Sequence, residues 1–215
     1  METLTEILGY VIYGAQALTA AWGLYCAIAV WRRVAQSRFR NEDEQSEFLA
    51  EIEQGLSQGN FDGVAAHCED DSRVLPQLIG LAVANRNLGY AKIRQLVADR
   101  FQRDVLSEIE YRLSWVLTVT KTAPMLGLFG TVGGMMGAFR TLGGGDKIDA
   151  ATLANNISLA LVTTVIGLAV AIPLMVIVAA LNVRIKKLEE LVGLGLSQFL
   201  EMLKPALDRV YRRGA

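Results

Sequence analysis

The sequence predicts an all-α integral membrane protein with three transmembrane helices, the second and third of them long and extending into the cytoplasm. Composition is the first reason. Of 215 residues, 52% are hydrophobic and 20% charged, and mean hydropathy is positive, more apolar than a soluble domain of this size carries. The second reason is three stretches free of charge, Ile7–Trp31, Thr122–Phe139 and Ala150–Val183, each near or above the roughly 20 residues that cross a hydrocarbon core. The third is that apolar residues in the polar remainder recur at helical spacing.

Residues 1–32 form the first transmembrane helix, with the N-terminus outside. Its apolar run, ILGYVIYGAQALTAAWGLYCAIAVW, is 25 residues long, enough for one span. No basic leader precedes it, and it ends in WRR instead of a small-residue cleavage site, so it is expected to be retained. Residues 33–114 form a cytoplasmic helical region. There Phe48, Leu49, Ile52 and Leu56 share one helical face, and Gly55, Gly59 and Asn60 are expected to break the run into short helices. From Tyr90 to Trp115 a stripe of Ile93, Leu96, Val97, Phe101, Val105, Ile109 and Leu113 predicts one long helix passing from cytoplasm into membrane, its charged face solvated. Residues 115–140 are the second transmembrane helix, 141–149 a short periplasmic loop, 150–183 the third transmembrane helix and 184–215 a cytoplasmic helical tail. The charge-free run of the third helix, 34 residues, is longer than a bilayer needs, so part of it should continue beyond the membrane.

Orientation follows the basic residues. Arg32, Arg33, Arg38 and Arg40 follow the first span, and Arg184, Lys186 and Lys187 follow the third. None precedes the first, and the loop TLGGGDKID holds only Lys147. The large connection and the C-terminal tail therefore belong in the cytoplasm.

Several classes of function are excluded at this level. A net charge of -1 gives no basic surface for nucleic acid. Cys26 lies in an apolar run and Cys68 beside Glu69, Asp70 and Asp71, so both read as free thiols. His67, the single histidine, has no second ligand at metal spacing and reads as a solvated helix-end residue. No nucleophile sits beside a base, no phosphate loop of GxxxxGK[ST] form occurs, and GTVGGMMG lies in a membrane span with no strand before it. No enzyme, cofactor or metal is expected.

The membrane segments are unusual for simple anchors. TAPMLGLFGTVGGMMGAF holds five glycines, Gly127, Gly130, Gly133, Gly134 and Gly137, whose fourfold spacings let another backbone approach closely. Two readings stay open: packing within the chain, or contact with another subunit. Pro124 and Pro173 each remove a helical hydrogen bond and can kink their helices. The polar side chains are Thr131 in the second span and Asn155, Asn156, Ser158, Thr163 and Thr164 in the third. Such hydroxyls either back-bond within their own helix or line a polar path. No Asp, Glu, His, Lys or Arg lies inside the first or third span, and Lys121 sits at the cytoplasmic end of the second. If protons pass, another chain supplies the carboxylate, because hydroxyls do not hold and release protons near neutral pH.

APMLGLFGTVGGMMGAF, Ala123–Phe139, followed after a short loop by NNISLALVTTVIGLAVAIP, Asn155–Pro173, resembles the paired second and third spans of the MotA/TolQ/ExbB proton channel family. The three-span layout is closer to ExbB and TolQ than to the four-span MotA. The resemblance implies a bacterial inner-membrane protein, N-terminus periplasmic and C-terminus cytoplasmic, that assembles as a homo-pentamer in the lipid bilayer. The pentamer would enclose single-span ExbD- or TolR-like helices with an intramembrane Asp, and a TonB-like periplasm-spanning protein is a further partner. It also implies pore-lining roles for Thr131, in GLFGTV, and for Thr164 with Thr163, in LVTTVIG. One position departs from the pattern: the glutamate of the ExbB motif GIxEAL falls on Leu159. A structural scaffold that packs a partner without conducting is the rival reading, and a stand-alone channel for a small solute a third.

Overall fold

The computed structural model describes residues 2–143 and 150–214, and every element among them is helical. In chain order these are α1 (Glu2–Ser37), α2 (Glu42–Ser57), α3 (Phe61–Glu69), α4 (Val74–Ala84), a 3-10 turn (Arg86–Leu88), α5 (Tyr90–Arg100), a π-helical segment (Phe101–Leu106), α6 (Ser107–Gly143) and α7 (Ala150–Gly214). Helices α1, the run from Tyr90 to Phe139, and α7 are each long and apolar enough to cross a membrane. The chain is thus an all-α protein with three membrane-crossing helices. Residues 144–149 of the predicted loop, Asp146, Lys147 and Asp149 among them, lie outside the described residues.

The chain divides into two units, and α1, α6 and α7 supply residues to both. One unit holds residues 30–111 and 181–215. Its helices begin and end for local reasons. Glu42, Asp43 and Glu44 place negative charge on the first turn of α2, where unpaired backbone N–H groups point outward. Gly59, at φ +75°, takes the left-handed conformation that ends α2, and Asn60 then caps α3 by accepting from the Gly63 N–H at 3.0 Å. Gly55, expected to break the helix, sits inside α2 instead. A Cβ there would meet Val64 Cγ2 at 2.6 Å, so this glycine serves the approach of α3.

The predicted face of α2 is buried: Phe48, Leu49, Ile52 and Leu56 join Leu75 and Ile79 of α4, Ile93 and Val97 of α5, and Leu188, Phe199 and Leu203 of α7 in the core. The stripe from Ile93 to Leu113 lies on one continuous helical run, with a π-helical turn inside it that the spacing did not reveal. A polar clasp fastens α2 to α7: buried Gln45 donates from Nε2 to the Leu191 carbonyl at 2.9 Å. A Cβ on Gly195 would lie 2.5 Å from that same Nε2, so the glycine leaves the opening through which the amide reaches the backbone.

The connection between α3 and α4 is tied down by Arg73. Its guanidinium meets Asp71 (Nε to Oδ2, 2.8 Å) and Glu44 (2.6 Å) and lies 3.8 Å over the Phe39 ring. Burial works to raise the Asp71 carboxyl, but the hydrogen bonds and charge of Arg73 outweigh it and hold the group below its ordinary 3.8. Cys68 is pushed the other way, to about 11, by burial and then by Asp71, with a hydrogen bond from the Gly80 backbone partly offsetting both. His67 stacks on Phe48 and pairs with Glu51 at 3.1 Å.

The other unit comprises residues 1–29 and 112–180. Its interior is thin and made of small side chains, with Ala123, Ala138, Ala160 and Ala171 beside Ile12, Val116, Val119 and Leu174. Its outside is apolar: Leu18, Phe129, Met136, Val165 and Met175 are all exposed. An unpartnered surface of this kind suits lipid or other membrane helices and not water.

Candidate functional site in the three-helix membrane unit

The site is assembled where small residues let helices touch. On α6, a Cβ at Gly127 would stand 2.8 Å from the Thr163 carbonyl and from Thr164 Cα; at Gly130 it would stand 2.7 Å from Thr163 Cβ; at Gly134, 2.5 Å from Ala160 Cβ. From the other side, a Cβ at Gly167 would lie 2.6 Å from the Ala123 carbonyl and 3.3 Å from Pro124 Cα. Four glycines therefore form one α6–α7 seam within the chain. Gly133 and Gly137 are half-buried on α6. Pro124 is half-buried in the same helix, and Pro173 is exposed on α7.

Hydroxyls in an apolar unit need acceptors, and most find one in their own helix. Thr19 donates to Ala15 or Gln16, Thr118 to Ser114, Thr120 to Val116 and Thr122 to Val119. Thr131, buried, donates to the Leu128 carbonyl at 2.7 Å, which spends its proton locally and leaves its lone pairs able to accept. Thr163 is a seam residue: its hydroxyl lies 2.7 Å from the Ala160 carbonyl and 3.0 Å from that of Gly127 across the seam. Thr164 differs from all of these, since its Oγ1 is buried and has no hydrogen-bond partner in the protein.

The first helix contributes a residue that sequence reasoning passed over. Gln16, 2% exposed, donates from Nε2 to the Thr163 carbonyl at 2.7 Å, and its Oε1 is buried without a protein partner. A search for titratable groups misses an amide because it carries no charge. The signal available was the cost of placing any carboxamide in a charge-free run. Two side-chain atoms of the unit, Gln16 Oε1 and Thr164 Oγ1, are thus buried without a partner in the protein. Leu159 is exposed on α7, and its carbonyl receives the Tyr13 hydroxyl at 3.4 Å. Asn155 and Ser158 are exposed and Asn156 half-buried. Among the described residues no group of three or more His, Cys, Asp or Glu could hold a metal.

Residues 79–192, more than half of the chain and including every threonine of the seam, match the model of the MotA/TolQ/ExbB proton channel family. The chain belongs to the MotA/TolQ/ExbB proton channel family. Individual relatives agree. The Tol-Pal system protein TolQ of Haemophilus influenzae is 35% identical over 98 residues, 46% of this chain and 43% of that protein. An ExbB homolog of Methanothermobacter thermautotrophicus is 30% identical over 171 residues, 78% of this chain and 59% of its own. The biopolymer transport protein ExbB of Pseudomonas putida is 30% identical over 166 residues, 76% and 49% respectively. The chain spans about half the length of these relatives. Within the MotA/TolQ/ExbB family it stands near ExbB and TolQ, and as a member of a proton channel family it is not an enzyme.

Proposed function

We propose that this chain is the multi-span channel subunit of a complex in the bacterial inner membrane that converts proton flow into mechanical work on the envelope. Five copies enclose the single-span helices of ExbD- or TolR-like partners, and an aspartate in the partner helix carries the proton. Thr131 and Thr164 face that aspartate, and Thr163 supports them from the seam. The N-terminus lies on the periplasmic side and the cytoplasm receives residues 33–114 and 184–215. A TonB-like protein spanning the periplasm is a further partner. The relatives named ExbB and TolQ support this assignment.

The observation that carries the reading is the pairing of a buried, unpartnered Thr164 hydroxyl with the absence of any acidic side chain in the first or third span. An orphan hydroxyl costs roughly 1–3 kcal/mol, a cost that a partner group arriving from outside the chain would offset. A structural scaffold would gain nothing from it. The test is proton uptake by proteoliposomes containing this chain together with an ExbD- or TolR-like single-span protein of the same organism. Uptake should require both proteins and should vanish when the partner's intramembrane Asp is replaced by Asn. Equal uptake with that replacement would overturn the assignment, and uptake by this chain alone would favour a stand-alone channel.

A further inference from the structure

Thr163 is held by two helices. From α6, Gly127 faces the Thr163 carbonyl and Thr164 Cα, and Gly130 faces the Thr163 side chain. From α1, Gln16 Nε2 donates to the same Thr163 carbonyl at 2.7 Å, and one turn earlier on both helices the Tyr13 hydroxyl reaches the Leu159 carbonyl at 3.4 Å. The two contacts do different things. Glycines let backbones come close, but they offer no side chains to interlock with the neighbouring helix, so a glycine seam sets distance and leaves α7 free to roll about its own axis. A directed hydrogen bond from a second helix removes that freedom.

Stability does not account for the amide. A hydrogen bond between membrane helices contributes little net, whereas a buried carbonyl oxygen without a partner costs more, and Gln16 Oε1 is such an atom. An apolar side chain of similar length would fill this place, which is 2% exposed, without that cost. What it would lack is the N–H aimed at one carbonyl of α7.

We infer that Gln16 is a positioning residue, acting through the Thr163 carbonyl to fix the rotation of α7 and with it the direction of Thr164. Its effect on proton flow rests on the function proposed above, in which the Thr164 hydroxyl, unpartnered in this chain, faces the aspartate of a partner helix. Gln16 takes up none of that hydroxyl's bonding capacity, because its own bond goes to the backbone.

The test is solid-state NMR on the full chain in phosphatidylethanolamine and phosphatidylglycerol bilayers, read beside proton uptake with an ExbD- or TolR-like partner. A dipolar contact between labelled Gln16 Nε2 and the labelled Thr163 carbonyl carbon should be present in the unsubstituted chain. In Gln16→Met, which keeps the length and removes the N–H, the contact between Gly127 Cα and Thr164 Cα should weaken while the melting temperature is unchanged or higher. Uptake should then fall about tenfold, because Thr164 is misplaced. Absence of the first contact, a Gly127–Thr164 contact that the substitution leaves unchanged, or full uptake by the variant would each overturn the role. Failure of both Gln16→Met and Gln16→Leu to fold would overturn it too, since the bond would then hold the unit together instead of orienting it. If the unsubstituted chain takes up no protons with its partner, the motor reading falls while the NMR contacts still decide whether Gln16 positions Thr164, so the two fail separately.

Discussion

Thr131, Thr163 and Thr164 look alike in sequence, and packing gives each a different bond. Thr131 donates within its helix, Thr163 lies across the seam from Gly127, and the Thr164 hydroxyl has no partner in the chain. Replacing Thr164 or Thr131 by Val keeps volume and removes only a hydroxyl, so both variants should assemble normally and lose proton uptake with the partner present. Uptake unchanged in both would remove the assignment of these residues. The polar character of the three threonines was legible in the sequence. Which hydroxyl stays free was not, because the side-chain rotamer is decided by the helix packed beside it. Gln16 escaped notice for a plainer reason, since it carries no charge to mark it. A second prediction concerns Gly195. Gly195→Ala should displace the Gln45 amide and cost about 1–3 kcal/mol through overpacking and a buried unpaired carboxamide. In a Gln45→Ala background the same change should cost less, the remainder coming from Leu75 Cδ2, 2.6 Å from the added Cβ, measured as melting temperatures of the four proteins, and additive losses would show that the two sites do not share the contact.

Helices carry the next set of consequences. Three charge-free runs and the 90–115 stripe are enough to predict the membrane helices, since burial on one face requires apolar residues every three or four positions. The glycine spacing of α6 could not choose its partner, because a small-residue face accepts a helix of the same chain or of another equally well. The structure shows Gly127, Gly130 and Gly134 meeting α7 of the same chain. Gly134→Leu should therefore destabilise the three-helix unit itself, by about 1–3 kcal/mol or more from overpacking against Ala160, and an unchanged melting temperature would contradict the seam. Continuity from α5 into α6 was predicted, but FQRDVL gives no local sign of its π-helical turn. In the α3–α4 connection, Asp71 has a native pKa lowered below 3.8, so it contributes stability above that value and the contribution fades as pH falls through the lower native value. Asp71→Asn should be less stable than the unsubstituted chain at neutral pH, with the gap narrowing as pH drops below about 3.8 in parallel thermal melts. A gap that stays constant to acid pH would mean that charge plays no part.

For the molecule as a whole, length limits what a membrane can cover. Helix α7 has 65 residues, roughly 100 Å at 1.5 Å per residue, against a hydrocarbon core of about 30 Å. Most of it must therefore run outside the core. The fold class follows from such arithmetic, and family membership rests on the match over residues 79–192. Copy number does not follow from one chain, because the outward apolar surface of the membrane unit fits lipid and neighbouring subunits alike. The central claim is that several copies of this chain surround single-span helices. Native mass spectrometry of the chain purified together with an ExbD- or TolR-like single-span protein of the same organism is the test to make first. Five copies of this chain holding single-span partner helices should be found. A stable complex of any other stoichiometry, or no association at all, would contradict it.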